Sequence, residues 1–245
     1  MKTNLIMPMG GAGTRFLNNG FECPKPLIDL CGKPFFKWAC DSVYENVELE
    51  TLTFVVLKEH IERFGIDEKI CSYYPKAHIE VLPHVLNGAV LTAIEGAKSI
   101  KNDLPVIFCD CDLAFKSGEL YGLYNAPSFE ADGSLLTFTS DLDRYSYVET
   151  DADGFALRTA EKKVISSHAI TGAYGYRNAK LFMDAAKIYM DECEYSEYFM
   201  SGIYNILIRE GRRIRVLSVD DTLNFGTPDE YEEAARRVSQ GGYET

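Results

Sequence analysis

Several patterns are missing from this 245-residue chain, and each absence removes a class of function. Basic residues are scarce: Lys and Arg number 25 against 37 Asp and Glu, for a formal net charge of -12. General binding to nucleic acid or to an anionic membrane needs a basic face, so the balance argues against both. It leaves room for a local positive pocket that takes a small anion. No pair among the 7 cysteines has Cys-x-x-Cys spacing, and the closest two are Cys109 and Cys111. Zinc-finger pairs are therefore absent, and buried free thiols in a reducing cytoplasm are the expected state. The histidines, His60, His78, His84 and His168, show no ligand spacing and read as structural or surface residues. No apolar run approaches membrane-spanning length. The short apolar segment after Met1-Lys2-Thr3-Asn4 stops at Pro8, too early for a secretory signal. A cytoplasmic protein is expected.

What is present suits one α/β domain, with 46% hydrophobic and 25% charged residues. A chain of this size buries about three quarters of its unfolded surface and needs no disulfide or structural metal. In the first half, strand-like runs at Asn4–Met7, Thr51–Leu57, His78–Leu82 and Pro105–Cys109 alternate with helical stretches. One helix runs from Pro34 towards Tyr44. Another spans Gly88–Ile100, with Val90, Leu91, Ile94, Ala97 and Ile100 on one stripe. That order implies right-handed crossovers and a mainly parallel sheet covered on both faces. The second half is mixed. Strands are expected at Ser134–Thr139, Tyr147–Thr150, Phe155–Arg158, His168–Tyr176 and Ile214–Val219, the second and third forming a hairpin about Asp151–Gly154. Helices are expected at Ala179–Met190, Tyr198–Glu210 and from Pro228 to Arg237. The fold class is α/β and Rossmann-like: a mainly parallel mixed sheet flanked by helices, with a small antiparallel element. In such sheets a ligand sits at the carboxyl ends of the strands.

The strongest local signal comes directly after the first strand: Pro8-Met9-Gly10-Gly11-Ala12-Gly13-Thr14-Arg15. Glycines let backbone N–H groups approach phosphate oxygens, and an arginine adds a bidentate contact. A dinucleotide fingerprint needs glycine where Phe16 stands, and Pro24 and Pro26 interrupt its helix. A P-loop needs Gly-Lys-Ser/Thr, against Gly13-Thr14-Arg15 here. On the loop alone, a plain tight turn and a phosphate site stand level. Pro24-Lys25-Pro26 breaks the tie, because a lysine between prolines is aimed along a rigid, extended segment. With Gly32-Lys33-Pro34 downstream, the combination is specific.

The segment Leu5–Pro34 resembles the sugar nucleotidyltransferases, the nucleoside-diphosphate-sugar pyrophosphorylases, and the likeness continues along nearly the whole chain. The resemblance implies a single nucleotidyltransferase domain over residues 1–245, with a nucleotide-binding half at about 1–115 and an acceptor-binding half at about 116–245. It implies that Met9, Gly10, Gly11, Ala12, Gly13 and Thr14 hold a triphosphate, and that Asn87 and Gly88 contact the nucleobase. Arg15 and Lys25 would be catalytic, Arg15 against the leaving pyrophosphate and Lys25 between the α-phosphate and the incoming phosphate. Asp112 falls where the family binds magnesium, with Asp110 in support. Acids two apart would point the same way if the strand extends that far, and a hard cation held by few carboxylates suits such a pair. Glu161-Lys162 ahead of Ser166–Tyr174 resembles the acceptor segment: Glu161 accepts hydroxyls, Lys162 faces the acceptor phosphate and Gly172 admits the ring. Tyr147 belongs to the same substrate site. Ser146 stands in Tyr145-Ser146-Tyr147 where the family often has glycine, which would change or narrow the acceptor pocket. Asn224 stands where many members carry a second metal-binding aspartate. Either the second ligand is weaker, or Asp220 or Asp221 substitutes, or one carboxylate suffices.

The implied activity joins a nucleoside triphosphate to a phosphate monoester, first of all a sugar 1-phosphate, with Mg2+ as cofactor and pyrophosphate as product. The implied partners are those two substrates, and a homo-oligomer is compatible with the sequence. Two alternatives stay open. One is a CTP-dependent cytidylyltransferase for a non-sugar phosphate such as phosphocholine, which Ser146, Asn224 and the aromatic residues Tyr195, Tyr198, Phe199 and Tyr204 allow. The other is a catalytically silent nucleotide sensor of the same fold, which Asn224 motivates and Arg15, Lys25 and Asp112 oppose. Asn224→Asp is expected to lower the magnesium concentration for half-maximal turnover. An unchanged magnesium titration would place the second ligand elsewhere.

Overall fold

A computed structural model of the chain describes residues 1–243. The elements run β1 (Thr3–Pro8), α1 (Thr14–Leu17), a 3-10 turn (Lys25–Leu27), β2 (Asp29–Leu30), β3 (Lys33–Pro34), α2 (Phe35–Tyr44), β4 (Leu49–Leu57), α3 (Lys58–Phe64), α4 (Ile66–Tyr73), β5 (His78–Leu82), α5 (Ala89–Ala97) and β6 (Val106–Cys109). The second half continues with β7 (Leu113–Lys116), α6 (Gly118–Asn125), β8 (Gly133–Thr139), β9 (Tyr147–Thr150), β10 (Ala156–Ala160), β11 (His168–Tyr176), α7 (Ala179–Glu192), α8 (Met200–Arg209), β12 (Ile214–Ser218), β13 (Asp221–Asn224) and α9 (Pro228–Ser239).

The central sheet orders its strands β10-β9-β11-β6-β1-β4-β5, with β8 pairing β11 and β12 pairing β8. β6, β1, β4 and β5 are mutually parallel, as the alternation of the first half demands. Direction reverses at β11, which runs antiparallel to β6. From β1 the chain builds outward through β4 and β5, then returns to lay β6 on the other side of β1. The crevice beyond the carboxyl ends of β1 and β6 is thus the topological switch point, where open α/β sheets bind ligands.

Alternation along β1 sends Ile6 to one face and Leu5 and Met7 to the other. Ile6 packs with Val55, Val90 and Phe108 under α5, α7 and α8, while Leu5 and Met7 pack with Phe36, Phe54 and Ile107 under α2, α4 and α6. A third cluster of Phe16, Phe35, Trp38, Phe225 and Tyr243 lies behind the glycine loop. There Phe35 sits with its ring centroid 5.6 Å from Phe16 and 4.5 Å from Phe225. These rings tie α1 and the segment before α9 to α2.

The elements not read from the sequence are short. α3, α4 and α6 have too few turns to display a stripe of their own. β7 and β13 are four residues each and form a ribbon only because residues far apart in sequence meet, Asn224 opposite Leu113. The aromatic residues Tyr195, Tyr198, Phe199 and Tyr204 do not form one box. Tyr204 is fully buried with Tyr176 and Tyr174, whereas Tyr195 is exposed beside Phe199. No helix among the described residues is long and apolar enough to cross a membrane.

Gly175 on β11 tests the tightness of this core. A Cβ there would lie 1.8 Å from Tyr124 Oη and 2.2 Å from Ser134 Oγ, two atoms bonded to each other at 2.9 Å. Gly175→Ala is expected to lose about 1–3 kcal/mol of unfolding free energy, read from urea denaturation. A wild-type midpoint would show that the core yields there.

Candidate active site

The glycine loop leaves β1 at the switch point. Met9 N–H donates to Val55 O at 2.8 Å, fixing the loop's root against β4. Gly10 fits because a side chain would strike Leu82 Cδ1 at 2.7 Å, while Gly11 faces open space. Gly13 has φ +62°, starts α1, and lies so close to Lys25 that a Cβ would stand 3.1 Å from Lys25 Cβ. Ala12, Thr14 and Arg15 lie on the solvent-facing rim, and buried Phe16 anchors α1 to the core behind the loop.

Lys25 opens the 3-10 turn after Pro24, whose φ and ψ of -62° and 145° are extended. Its stem rests on Gly13 and its ammonium donates to Asp112 Oδ2. The loop segment and the end of β6 are thereby joined by one ion pair. Burial works to lower the Lys25 pKa, but Asp112, Cys111 and Asp110 outweigh it and hold the lysine above its usual value. Asp110 is pushed up to about 7, by burial first and by the charge of Asp112 next, with Lys25 opposing.

Two hollows meet at these acids. One, of about 260 Å³, is lined by Met9, Gly11, Gly13, Lys25, Asp110 and Asp112 among others. The second, of about 170 Å³, is lined by Arg15, Asp110, Asp112, Ser146, Gly172 and Asn224, with Arg144, Tyr145, Tyr174, Thr227 and Glu230 at its walls. Arg15 and Lys25 therefore serve different hollows with a shared floor. Gly172, at φ +103°, accepts from Asp110 N–H at 2.9 Å, and a Cβ there would come within 2.7 Å of Asp110 Oδ2. A Cβ on Gly226 would reach within 2.5 Å of Asp112 Oδ2. Both carboxylates are thus kept uncovered by glycine.

The other expected residues fall in several places. Glu161 and Lys162 line neither hollow; Glu161 stands behind Ser146 of the second hollow, accepting its hydroxyl and, at 2.9 Å, that of Ser201. Lys162 has φ +50° and holds its ammonium 4.7 Å from the Phe199 ring centroid. Tyr147 is fully buried, donates to Leu142 O at 2.7 Å and does not line either hollow. Asn87 and Gly88 also stand apart from both. Asn87 Nδ2 donates to Ser196 O at 3.2 Å, and Gly88, at φ +94°, leaves no room for a side chain against the Tyr198 backbone. Of the two acids that could replace Asn224 as a ligand, Asp220 accepts from Gly118 N–H at 2.7 Å, and Asp221 pairs with Arg237.

Arg144 and Glu230 join the site without having been expected from sequence. Glu230 accepts from Tyr145 Oη and from Gly226 N–H at 3.1 Å, and Arg144 lies 3.5 Å from it. A sequence signal did exist for Glu230: Thr227-Pro228-Asp229-Glu230 has the spacing of a capping box, and Thr227 caps α9 through Glu230 N–H. Arg144 sits in an irregular loop with no periodic signature.

The donor set fits a hard cation. Magnesium takes one or two carboxylates and fills its shell with phosphate oxygens and water. Asp110 and Asp112 supply carboxylates, Asn224 an amide oxygen, and the two glycines leave the space beside them open. Among the described residues no group of three or more His, Cys, Asp or Glu could hold a metal unaided. The chain thus offers a partial shell suited to a metal that arrives with phosphate.

No family model matches the chain. A curated relative, D-glycero-alpha-D-manno-heptose 1-phosphate guanylyltransferase of Campylobacter jejuni, is 22% identical over 231 residues, covering 92% of this chain and 96% of its own length. Among solved structures, a nucleoside-diphosphate-sugar pyrophosphorylase from Vibrio cholerae superposes with a TM-score of 0.82 at 22% identity, covering 95% of this chain and 99% of that one. An inositol-1-phosphate CTP transferase from T. maritima gives a TM-score of 0.76 at 14% identity, covering 99% and 98%. The chain therefore has the nucleotide-diphospho-sugar transferase fold, and along nearly its whole length it is similar to a sugar-phosphate nucleotidyltransferase, in agreement with the motifs it carries.

Proposed function

We propose that the chain transfers a nucleotidyl group from a nucleoside triphosphate to a phosphate monoester, most readily a sugar 1-phosphate, and releases pyrophosphate. The observation that carries this reading is the pair of hollows sharing the floor formed by Asp110 and Asp112, with Lys25 lining one and Arg15 the other. One hollow has a glycine loop suited to a triphosphate. The other has a polar wall suited to the acceptor.

The chemistry asks little of proton transfer. A phosphate monoester has a second pKa of about 6 and is mostly a dianion near neutrality. An acceptor phosphate oxygen forms the new bond to the α-phosphorus. The bond from that phosphorus to the β-phosphate bridging oxygen breaks, and pyrophosphate leaves with the electron pair. No general base is needed, consistent with a site that lacks histidine. The barrier is the approach of two anions, so positioning and charge neutralisation dominate. Lys25, held at the shared floor, offsets charge where the α-phosphate and the incoming phosphate meet. Arg15, on the rim of the acceptor-side hollow, offsets charge on the phosphates that project there. Asp110, Asp112 and Asn224 would hold magnesium, which would supply charge neutralisation and alignment of phosphate oxygens.

The T. maritima relative, an inositol-1-phosphate CTP transferase, supports a second reading in which a non-sugar phosphate is the acceptor and CTP the donor. A reducing cytoplasm, where all seven cysteines would stay free, suits either reading.

Pyrophosphate release with each nucleoside triphosphate, paired in turn with glucose, galactose and mannose 1-phosphates, inositol 1-phosphate and phosphocholine, tests the proposal. Turnover on a sugar 1-phosphate is expected. Turnover confined to non-sugar acceptors would replace the first reading by the second, and triphosphate binding without turnover on any pair would indicate a sensor. Lys25→Ala is expected to cut turnover by about 100-fold or more, the scale for removing one transition-state charge contact. Near wild-type rates would remove Lys25 from the reaction. Omitting magnesium is expected to abolish pyrophosphate release, and full activity in excess chelator would argue against the cation.

A further inference from the structure

Glu161 comes directly after the last residue of β10, and its carboxylate is already engaged. Ser146 Oγ donates to Oε2, and Ser201 Oγ donates to the same oxygen at 2.9 Å. The two donors belong to different parts of the fold. Ser146 lies just ahead of β9 in the wall of the acceptor-side hollow, while Ser201 belongs to the first turn of α8 and is 2% exposed. The same helix grips the end of β10 through three more bonds. Thr159 Oγ1 donates to Ser201 O at 2.7 Å, Thr159 N–H donates to Asn205 Oδ1 at 2.8 Å, and Asn205 Nδ2 returns a bond to Thr159 O at 3.0 Å.

The residue after Glu161 adds a second constraint. Lys162 has φ +50°, a left-handed backbone that a non-glycine residue keeps only when its surroundings impose it. Its ammonium lies over the ring of Phe199, the residue that opens α8. The strap from Thr159 to α8 therefore fixes the backbone at Glu161 from one side, and the turn at Lys162 fixes it from the other.

A carboxylate offers about four acceptor positions, two on each oxygen. Two hydroxyls fill those of Oε2, whereas Oε1 takes no hydrogen bond from a described residue. We infer that Ser146 and Ser201 are positioning residues for the acceptor: they saturate Oε2 of Glu161 and leave Oε1 as the oxygen presented to an acceptor hydroxyl. The inference rests on the nucleotidyl-transfer reading and narrows its acceptor to a hydroxylated phosphate monoester, a sugar or polyol phosphate. An acceptor without a hydroxyl there leaves Oε1 unpaired.

Steady-state kinetics of pyrophosphate release test it, with the best sugar or polyol phosphate of the panel as the varied acceptor. Ser201→Ala and Ser146→Ala are each expected to raise the acceptor KM by about tenfold, on the scale of one hydrogen bond to a charged group. The triphosphate KM is expected to stay within about twofold, because Ser146 lines the acceptor-side hollow and neither serine lines the loop-side one. In a Glu161→Ala background, Ser201→Ala is expected to have no further effect, since its partner is gone. An unmoved acceptor KM in both serine variants, an equal rise in both KM values, or the same loss with and without Glu161 would each overturn the inference. So would a preference for phosphocholine over every hydroxylated acceptor. Wild-type protein that turns over no pair would overturn the nucleotidyl-transfer reading and this inference with it, whereas wild-type turnover with an acceptor KM unmoved in both serine variants overturns this inference alone.

Discussion

The ion pair between Lys25 and Asp112 is the contact on which the site depends. It spans the crevice between β1 and β6, joining a segment beyond the end of one strand to an acid beyond the end of the other. In an acidic chain with a formal charge of -12, a site proposed to take two anions must concentrate positive charge locally. The ion pair does this while keeping the lysine from sweeping through solvent. It also offsets the repulsion between Asp110 and Asp112, whose burial already drives Asp110 towards its neutral form. A partly buried pair of this kind is worth less as stabilisation than as a fixture that holds charge in place.

The rest of the architecture serves to hold that fixture still. Behind the glycine loop, Phe16, Phe35 and Phe225 pack as one aromatic group, so the loop, α2 and the Gly226 turn are fixed with respect to one another. On the acceptor side, β11 runs antiparallel to β6 and delivers Gly172 directly beside Asp110. The ribbon of β7 and β13 brings Asn224 to Leu113, next to Asp112. The site thus draws on six separated stretches of chain, most of them set by sheet or core packing. Rigid support of this sort is what charge neutralisation requires, since dipoles and cations that must reorganise during the reaction lose their advantage.

Cation and acid placement differs between the two hollows, and that difference divides the labour. Lys25 belongs to the side with the glycine loop, Arg15 and Arg144 to the side with Ser146 and Gly172. Arg144 is itself held by Glu230, which also binds Tyr145 and the backbone of Gly226. The acceptor side is consequently rich in polar side chains, with Glu161 held behind Ser146, whereas the loop side presents backbone and a single aimed ammonium above the shared acids.

Much of this was legible in the linear chain. The parallel half announced itself because β1, β4 and β6 carry buried runs of apolar and β-branched residues, and Gly-Gly-x-Gly-Thr-Arg with Pro-Lys-Pro identified the loop because glycine frees and proline restricts backbone geometry locally. Asp110 and Asp112 could be read as facing a ligand from their place at a strand end. Other features depended on distance in space. Nothing near Tyr147 in sequence says that it is buried in the core, and nothing near Asn87 says that it meets Ser196 rather than a hollow. The link from Ser201 to Glu161 crosses 40 positions, and that from Lys25 to Asp112 crosses 87. Local residue types determined the elements, the loop and the chemistry the chain could carry, because those depend on backbone preferences and side-chain character within a few residues. Which cation lines which hollow, and which oxygen of Glu161 stays open, was decided only by tertiary packing, because such contacts exist only after the sheet has brought distant segments within a few ångströms of one another.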